Sequence, residues 1–378
     1  MLDRLPVELL RLVLEHLAPL DYIPERYKDR RRDLRSCCLV SRTVRGLAQP
    51  LLAEVYAVDN EGEVWDEATM VDLAARGSSV QLLVFNGYGA YQEQLSDDNR
   101  GLKPLLKLCP NLVELRVCDV PTLRLEWLAT PCKLRRLLVS DTTLYPTAKV
   151  TYPSLRELSL AGTRQSHDSF DSFLTPASTP SLRALALAHP ESSEVFGSPF
   201  PLPILAPALL EHLDILAVEG VVQTDAFLKA SAGSPSLVVI IRFADELSKL
   251  AKSGCTQVAC KLDALAVLLP PEEGDDESGD LADDDLTGLR DELAHLSSLL
   301  PSSPSLKLLT LHDFARPARI THSTLRAAMI DFLENLKRHD VEVFWEEDDE
   351  VEDSLISPAL WRRKREEKAR ARMQAVET

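Results

Sequence analysis

The pattern P-x-L-x-x-L-x-L recurs along this chain, and a pattern that returns every twenty-odd residues constrains the fold more than any other feature of a sequence. The clear copies lie at residues 110–117, 131–139 (one residue longer at its start), 153–160, 180–187 and 304–311, and weaker ones begin at Val80, Leu210, Leu237 and Leu262. Their leading apolar positions are 80, 112, 134, 155, 182, 210, 237, 262 and 306. The steps run from 21 to 32 residues, apart from one of 44.

Within a copy, the last two leucines stand two apart, so on an extended strand both enter the same core while their neighbours face the other way. Between copies the sequence predicts helices over 102–108, 224–230, 243–252, 286–300 and 322–337, with a further one over 68–76. A final strand over 341–345 is expected to close the sheet. Alternation of this kind gives an α/β fold, in which a parallel sheet carries helices on its outer side and right-handed crossovers bend the stack into an arc. The copies resemble the leucine-rich repeat family over residues 80–345, which implies an irregular solenoid. In that family the repeat continues into an Asn or Cys and a further Leu, the Asn satisfying backbone groups at the turn. Thr142 with Leu144 matches this partly, and Thr163 stands alone.

The net charge of −17 is local rather than global. Residues 271–285 hold nine acidic residues and no basic one, and residues 346–353 hold seven more, so the remainder is close to neutral. Both runs read as solvated, disordered segments, the first inserted in the longest step of the repeat. Residues 358–378 include Arg362-Arg363-Lys364-Arg365 and read as a solvated basic helix. The first residues are charged throughout and do not form a secretory signal, and no apolar run reaches the length of a membrane span. The seven cysteines show no CxxC pair and no metal-ligand spacing, so reduced thiols and a cytoplasmic or nuclear location are expected.

Residues 1–56 form a separate unit. Leu5-Pro6-Val7-Glu8-Leu9-Leu10 opens an amphipathic helix running to Leu17, and Leu34 to Arg42 starts a second helical stretch whose apolar side continues to Leu52. Residues 21–33 are polar and basic and read as a solvated loop between the two, because Asp21, Glu25, Asp29 and Asp33 interleave with the bases and weaken any phosphate binding. Leu5-Pro6, Glu8, the helix to Leu17, then Leu34, Cys37, Val40-Ser41-Arg42 and Pro50-Leu51-Leu52 resemble the F-box family. The chain then divides into an F-box-like helical domain (1–56), a connecting segment (57–79), the repeats (80–345) and a tail (346–378) that is first acidic and then basic.

No constellation for catalysis, cofactor or metal binding is present: GxGxxG, GxxxxGK, HExxH and GxSxG are all missing, and the eight histidines are scattered. The chain reads as a non-catalytic binding protein. The F-box resemblance implies that Leu5, Pro6, Leu9, Leu10, Leu14, Leu34, Val40 and Ser41 dock on a Skp-type adaptor, which connects to a cullin in a ubiquitin ligase of the SCF type. The repeats would then hold an unidentified protein substrate. On the sheet, Glu114, Arg116, Arg136, Glu157 and Ser159 are expected to form a mixed-charge patch for that substrate, and Ala184, Ala186, Ala188, Ala264 and Ala266 a small, bland continuation of it. The competing reading is a repeat scaffold whose first helices only cap its open end. A nucleic-acid role through the basic segments is disfavoured, and membrane association is not expected.

Overall fold

The computed structural model describes residues 6–17, 24–59, 67–86, 102–120, 122–129, 133–145, 150–161, 164–165, 173–188, 207–219, 236–241, 262–268, 290–291, 293–298, 300–312 and 323–346. Leu5, Thr163, the helices expected over 224–230 and 243–252, the acidic segment 271–285 and the tail beyond Glu346 lie outside the described residues. The fold is mixed α/β with a parallel sheet and, among the described residues, no closed barrel. It comprises two compact units, one reaching to Leu182 and one containing Arg183–His189 and the chain from Pro199.

The first unit begins with three helices, α1 (Val7–Leu17), α2 (Pro24–Val40) and α3 (Arg42–Glu54). Their core is Leu14, Leu34, Val44, Ala48 and Leu51, with Cys37, Cys38, Leu47 and Leu52 partly buried around it. Ser41 separates α2 from α3: its backbone is extended and its Oγ accepts from the Val44 amide at 3.2 Å, an N-cap contributing about 1 kcal/mol.

The described part of the expected loop, residues 24–33, is not a loop but the first half of α2. Proline suits the first helical turn, and Glu, Arg and Lys are good helix formers. The hydropathy pattern conceals the helix because one of its inward anchors is an arginine. Arg30 is 4% exposed and lies one turn before the buried Leu34. Its guanidinium donates to the Leu51 carbonyl at 2.8 Å and comes within 4.0 Å of Glu54. Leu51 belongs to the last turn of α3, whose carbonyls have no partner within the helix, so Arg30 satisfies one and opposes the negative end of the helix dipole.

No residue separates α3 from strand β1 (Val55–Asp59). The expected boundary at residue 56 falls inside this strand, and the described residues of 57–79 hold the rest of β1, helix α4 (Glu67–Arg76) and a 3-10 turn (Gly77–Ser79). Strands β2 (Leu82–Asn86), β3 (Glu114–Cys118), β5 (Arg136–Ser140) and β7 (Glu157–Ala161) follow in parallel, with α5 (Leu102–Leu108) before β3. The register is unbroken, Val55 facing Leu82, then Glu114, Arg136 and Glu157. Each clear copy of the sequence pattern becomes a strand two residues after its leading leucine. The paired positions Leu115 and Val117, Leu137 and Val139, and Leu158 and Leu160 are buried together, each such side chain contributing about 1.5–3 kcal/mol.

A second parallel sheet, absent from the sequence reading, joins β4 (Leu123–Arg124), β6 (Thr143–Tyr145) and β8 (Arg164–Gln165). The chain turns towards it at Asp119 and Asp141, each one residue past a strand and each at positive φ (54° and 46°), which aspartate tolerates better than most residues. Thr142 ties these corners together. Its Oγ1 donates to the Ser140 carbonyl at 2.7 Å and accepts from the Val120 amide at 3.2 Å, the turn-satisfying role expected of it. Thr142→Val keeps the shape and leaves the buried Val120 amide without its acceptor, so a loss of about 1–3 kcal/mol is expected in urea denaturation. An unchanged midpoint would show that the bond carries no stability.

The second unit continues in parallel through β9 (Ala184–Ala188), β10 (Ile215–Glu219), β11 (Ser236–Ile241), β12 (Leu262–Leu268), β13 (Leu308–His312) and β14 (Glu342–Glu346), with α6 (Ser323–Arg338) before the last. The expected register slips at two weak copies. Ile215 faces Ala184, so Leu213 and not Leu210 is the leading position; Leu210 ends a single helical turn that starts at Pro207. Leu237 is not a leading position either but lies within β11, facing Leu216 and Leu262. Asp263 is then an extra residue on β12, because Val238 already faces Ala264, and such a bulge shifts all later pairings by one.

Candidate functional site

Two surfaces carry the side chains singled out by sequence. On the helical one, α1 turns Leu10 and Leu14 inward, both 4% exposed, and leaves Val7, Leu9, Leu12 and Val13 between 47% and 59% exposed. α1 keeps a polar stripe in Glu8, Arg11 and Glu15, the last two ion-paired at 2.7 Å, and beside it exposes more apolar side chain than an ordinary surface helix. The end of α2 adds Leu39 at 80% and Val40 at 55%.

Of the residues expected to dock on an adaptor, Pro6, Leu9 and Val40 are exposed and Ser41 is half-buried as the cap of α3. Leu10, Leu14 and Leu34 are buried in or beside the three-helix core. Val7, Leu12, Val13 and Leu39 are exposed beside them. At 100° per residue Leu12 falls opposite Leu10 and Leu14, with Leu9 and Val13 on one flank of α1.

On the sheet, Glu114, Arg136 and Glu157 are lateral neighbours, and Arg116, Leu138 and Ser159 form the row two residues on. The expected cluster is thus brought together, but it is not an open patch. Glu114 is 1% exposed, held by Arg116 Nε at 2.7 Å on one carboxylate oxygen and by an Arg136 terminal nitrogen at 2.6 Å on the other. Ser159 is also buried, and only Arg116, Arg136 and Glu157 reach the surface in part. A carboxylate inside the sheet is tolerable only with such partners, and the planar guanidinium supplies them in fixed directions. Ala184, Ala186 and Ala264 are likewise buried and offer no bland outer surface; Ala188 and Ala266 side chains lie outside the described residues.

Burial acts on two of the thiols. Burial pushes the Cys109 thiol up to about 12, and burial followed by the neighbouring Cys38 and Asp33 raises Cys37, so neither forms the reactive thiolate readily. Cys118, Asp119 and Asp141 place their ligand atoms within 4.8 Å of one another at the corner after β3 and β5, a grouping that spacing in the sequence did not announce. The Cys118 thiol donates to Asp119 Oδ2 at 3.2 Å. Tyr152 is buried, its hydroxyl donating to the Leu125 carbonyl at 2.6 Å and its ring standing edge-on to Phe173; burial raises its phenol, which serves the packing of the corner. Among the described residues, no helix is long and apolar enough to cross a membrane. No protein-family model matches the chain, and no curated protein matches it.

Proposed function

We propose that this protein is a substrate-recognition subunit of an SCF-type ubiquitin ligase, its first three helices acting as an F-box that docks on a Skp-type adaptor and its parallel strands forming an irregular leucine-rich-repeat solenoid that holds the target. The observation that carries the reading is the exposure of Leu9, Leu12 and Val13 on α1 together with Leu39 and Val40, at the positions where Pro6, Leu9 and Val40-Ser41-Arg42 match the F-box pattern. Strands that pair in chain order, five of them (β3, β5, β7, β9 and β13) after the clear Pro-led copies, support the repeat reading. Chemistry would belong to other subunits, and this chain would act by holding the target near them, converting a collision into an intramolecular encounter.

The direct passage of α3 into β1 favours a second reading, a scaffold in which the helices only cap the first strand. One experiment separates the two. The full chain is tested for capture of purified Skp-type adaptor, as wild type and as Leu9→Ser/Val40→Ser. Each lost apolar contact in a docking centre costs about 1–2 kcal/mol, so the double variant should bind roughly 30-fold more weakly or worse while its thermal midpoint is unchanged. A folded wild-type chain that ignores the adaptor leaves the capping scaffold.

A further inference from the structure

We infer that the corner between α2 and α3 is an interaction surface for an acidic polypeptide segment carrying an aliphatic residue. Residues 34–53 contain three arginines, Arg35, Arg42 and Arg45, and no acidic residue at all. All three are exposed, and among the described residues none of them engages a carboxylate. Arg32, one turn earlier, is different: it is paired with Asp29 at 2.9 Å and Asp33 at 3.4 Å and contributes little net charge. Arg35 near the end of α2 and Arg42 and Arg45 in the first turn of α3 therefore carry positive charge that no described carboxylate offsets.

Between those arginines stand the most exposed aliphatic side chain given above, Leu39, and its neighbour Val40. Arg35 precedes Leu39 by four residues on α2, so the two share a helix face. Arg45 fixes the corner by donating through Nε to the Cys38 carbonyl at 2.8 Å, which holds the first turn of α3 against the last turn of α2. An exposed leucine rimmed by unpaired guanidinium groups suits a partner that presents an aliphatic anchor between carboxylates. The apolar contact supplies affinity, and the charges supply orientation and association rate. A nucleic acid would gain from the charge but not from this placement of Leu39. The surface shares Leu39 and Val40 with the adaptor reading but is tested with a peptide and not with the adaptor, so failure of adaptor capture leaves it intact.

The test is fluorescence anisotropy with the full chain and a labelled glutamate-rich peptide bearing one central leucine, compared with the same peptide carrying lysine for glutamate and with a single-stranded oligonucleotide. Arg35→Glu/Arg42→Glu is expected to weaken binding of the acidic peptide about tenfold or more at low salt, with the difference shrinking as salt rises. Leu39→Ser should weaken it at all salt concentrations. These positions are exposed, so circular dichroism should show an unchanged fold. Equal affinity of the charge-reversed variant, indifference to Leu39→Ser, or tighter binding of the oligonucleotide than of the peptide would overturn the inference.

Discussion

Replacing Arg116 and Arg136 together by alanine is expected to destabilise the first unit by about 3–5 kcal/mol, more than the loss of Glu114 itself. The asymmetry follows from burial. Glu114 is 1% exposed and cannot reach water, whereas the arginine side chains, 17% and 29% exposed, can swing outward when their partner is removed. Stripping the arginines leaves a buried anion. Glu114→Leu leaves two mobile cations and a side chain that matches Leu82, its lateral neighbour on β2, so its cost should stay below about 2 kcal/mol. Urea denaturation with a constant slope measures both. If Glu114→Leu proves the costlier change, the triad is not organised around the carboxylate.

Gly77→Ala is expected to be the most damaging change that adds a single methyl group. Gly77 opens the 3-10 turn that joins α4 to β2 and is buried, and a Cβ there would fall on the backbone carbonyl of Leu108 at the end of α5. Backbone cannot move aside as a side-chain tip can. The turn is also fixed from both ends, by the Val80 amide bonded to the Gly77 carbonyl at 3.1 Å and by Asn111 bonded to the Ser78 carbonyl at 2.7 Å. A loss of about 3 kcal/mol is expected, at the upper end of overpacking costs. Gly46→Ala is the control: it meets nothing within 4 Å on α3, so replacing a helical glycine should be neutral or stabilising by up to about 1 kcal/mol. Thermal melts that shift equally for the two variants would rule out the steric account.

The strands were readable because one leucine pattern specifies both their start and their buried side, as Leu155, Leu158 and Leu160 illustrate. The pattern fails where it has two solutions. In Pro207-Ala-Leu-Leu210 a short apolar run fits a helical turn as well as a strand entry, and pairing with Ala184 decides for Leu213. The short strands β4, β6 and β8 hold two or three residues each and have no period to detect. Arg30 and Glu114 failed for a different reason: a charged residue type signals surface, and only a partner distant in sequence, Leu51 for one and Arg136 for the other, permits burial. Aligning the repeats would have placed Arg136 beside Glu114, since each stands two residues after its leading leucine.

The junction of α3 and β1 sets a rule for cutting this protein. Glu54 is the last helical residue, yet its carbonyl accepts from the Gln81 amide at 2.8 Å and its carboxylate from the Gln81 side chain at 3.3 Å, while Val55 already faces Leu82. A fragment ending near residue 56 would sever a strand, strip both bonds from the helix end and expose Val55. A chimera that places the helices on a foreign repeat must therefore carry β1 and β2 with them, so that the seam falls between two strands and not within one.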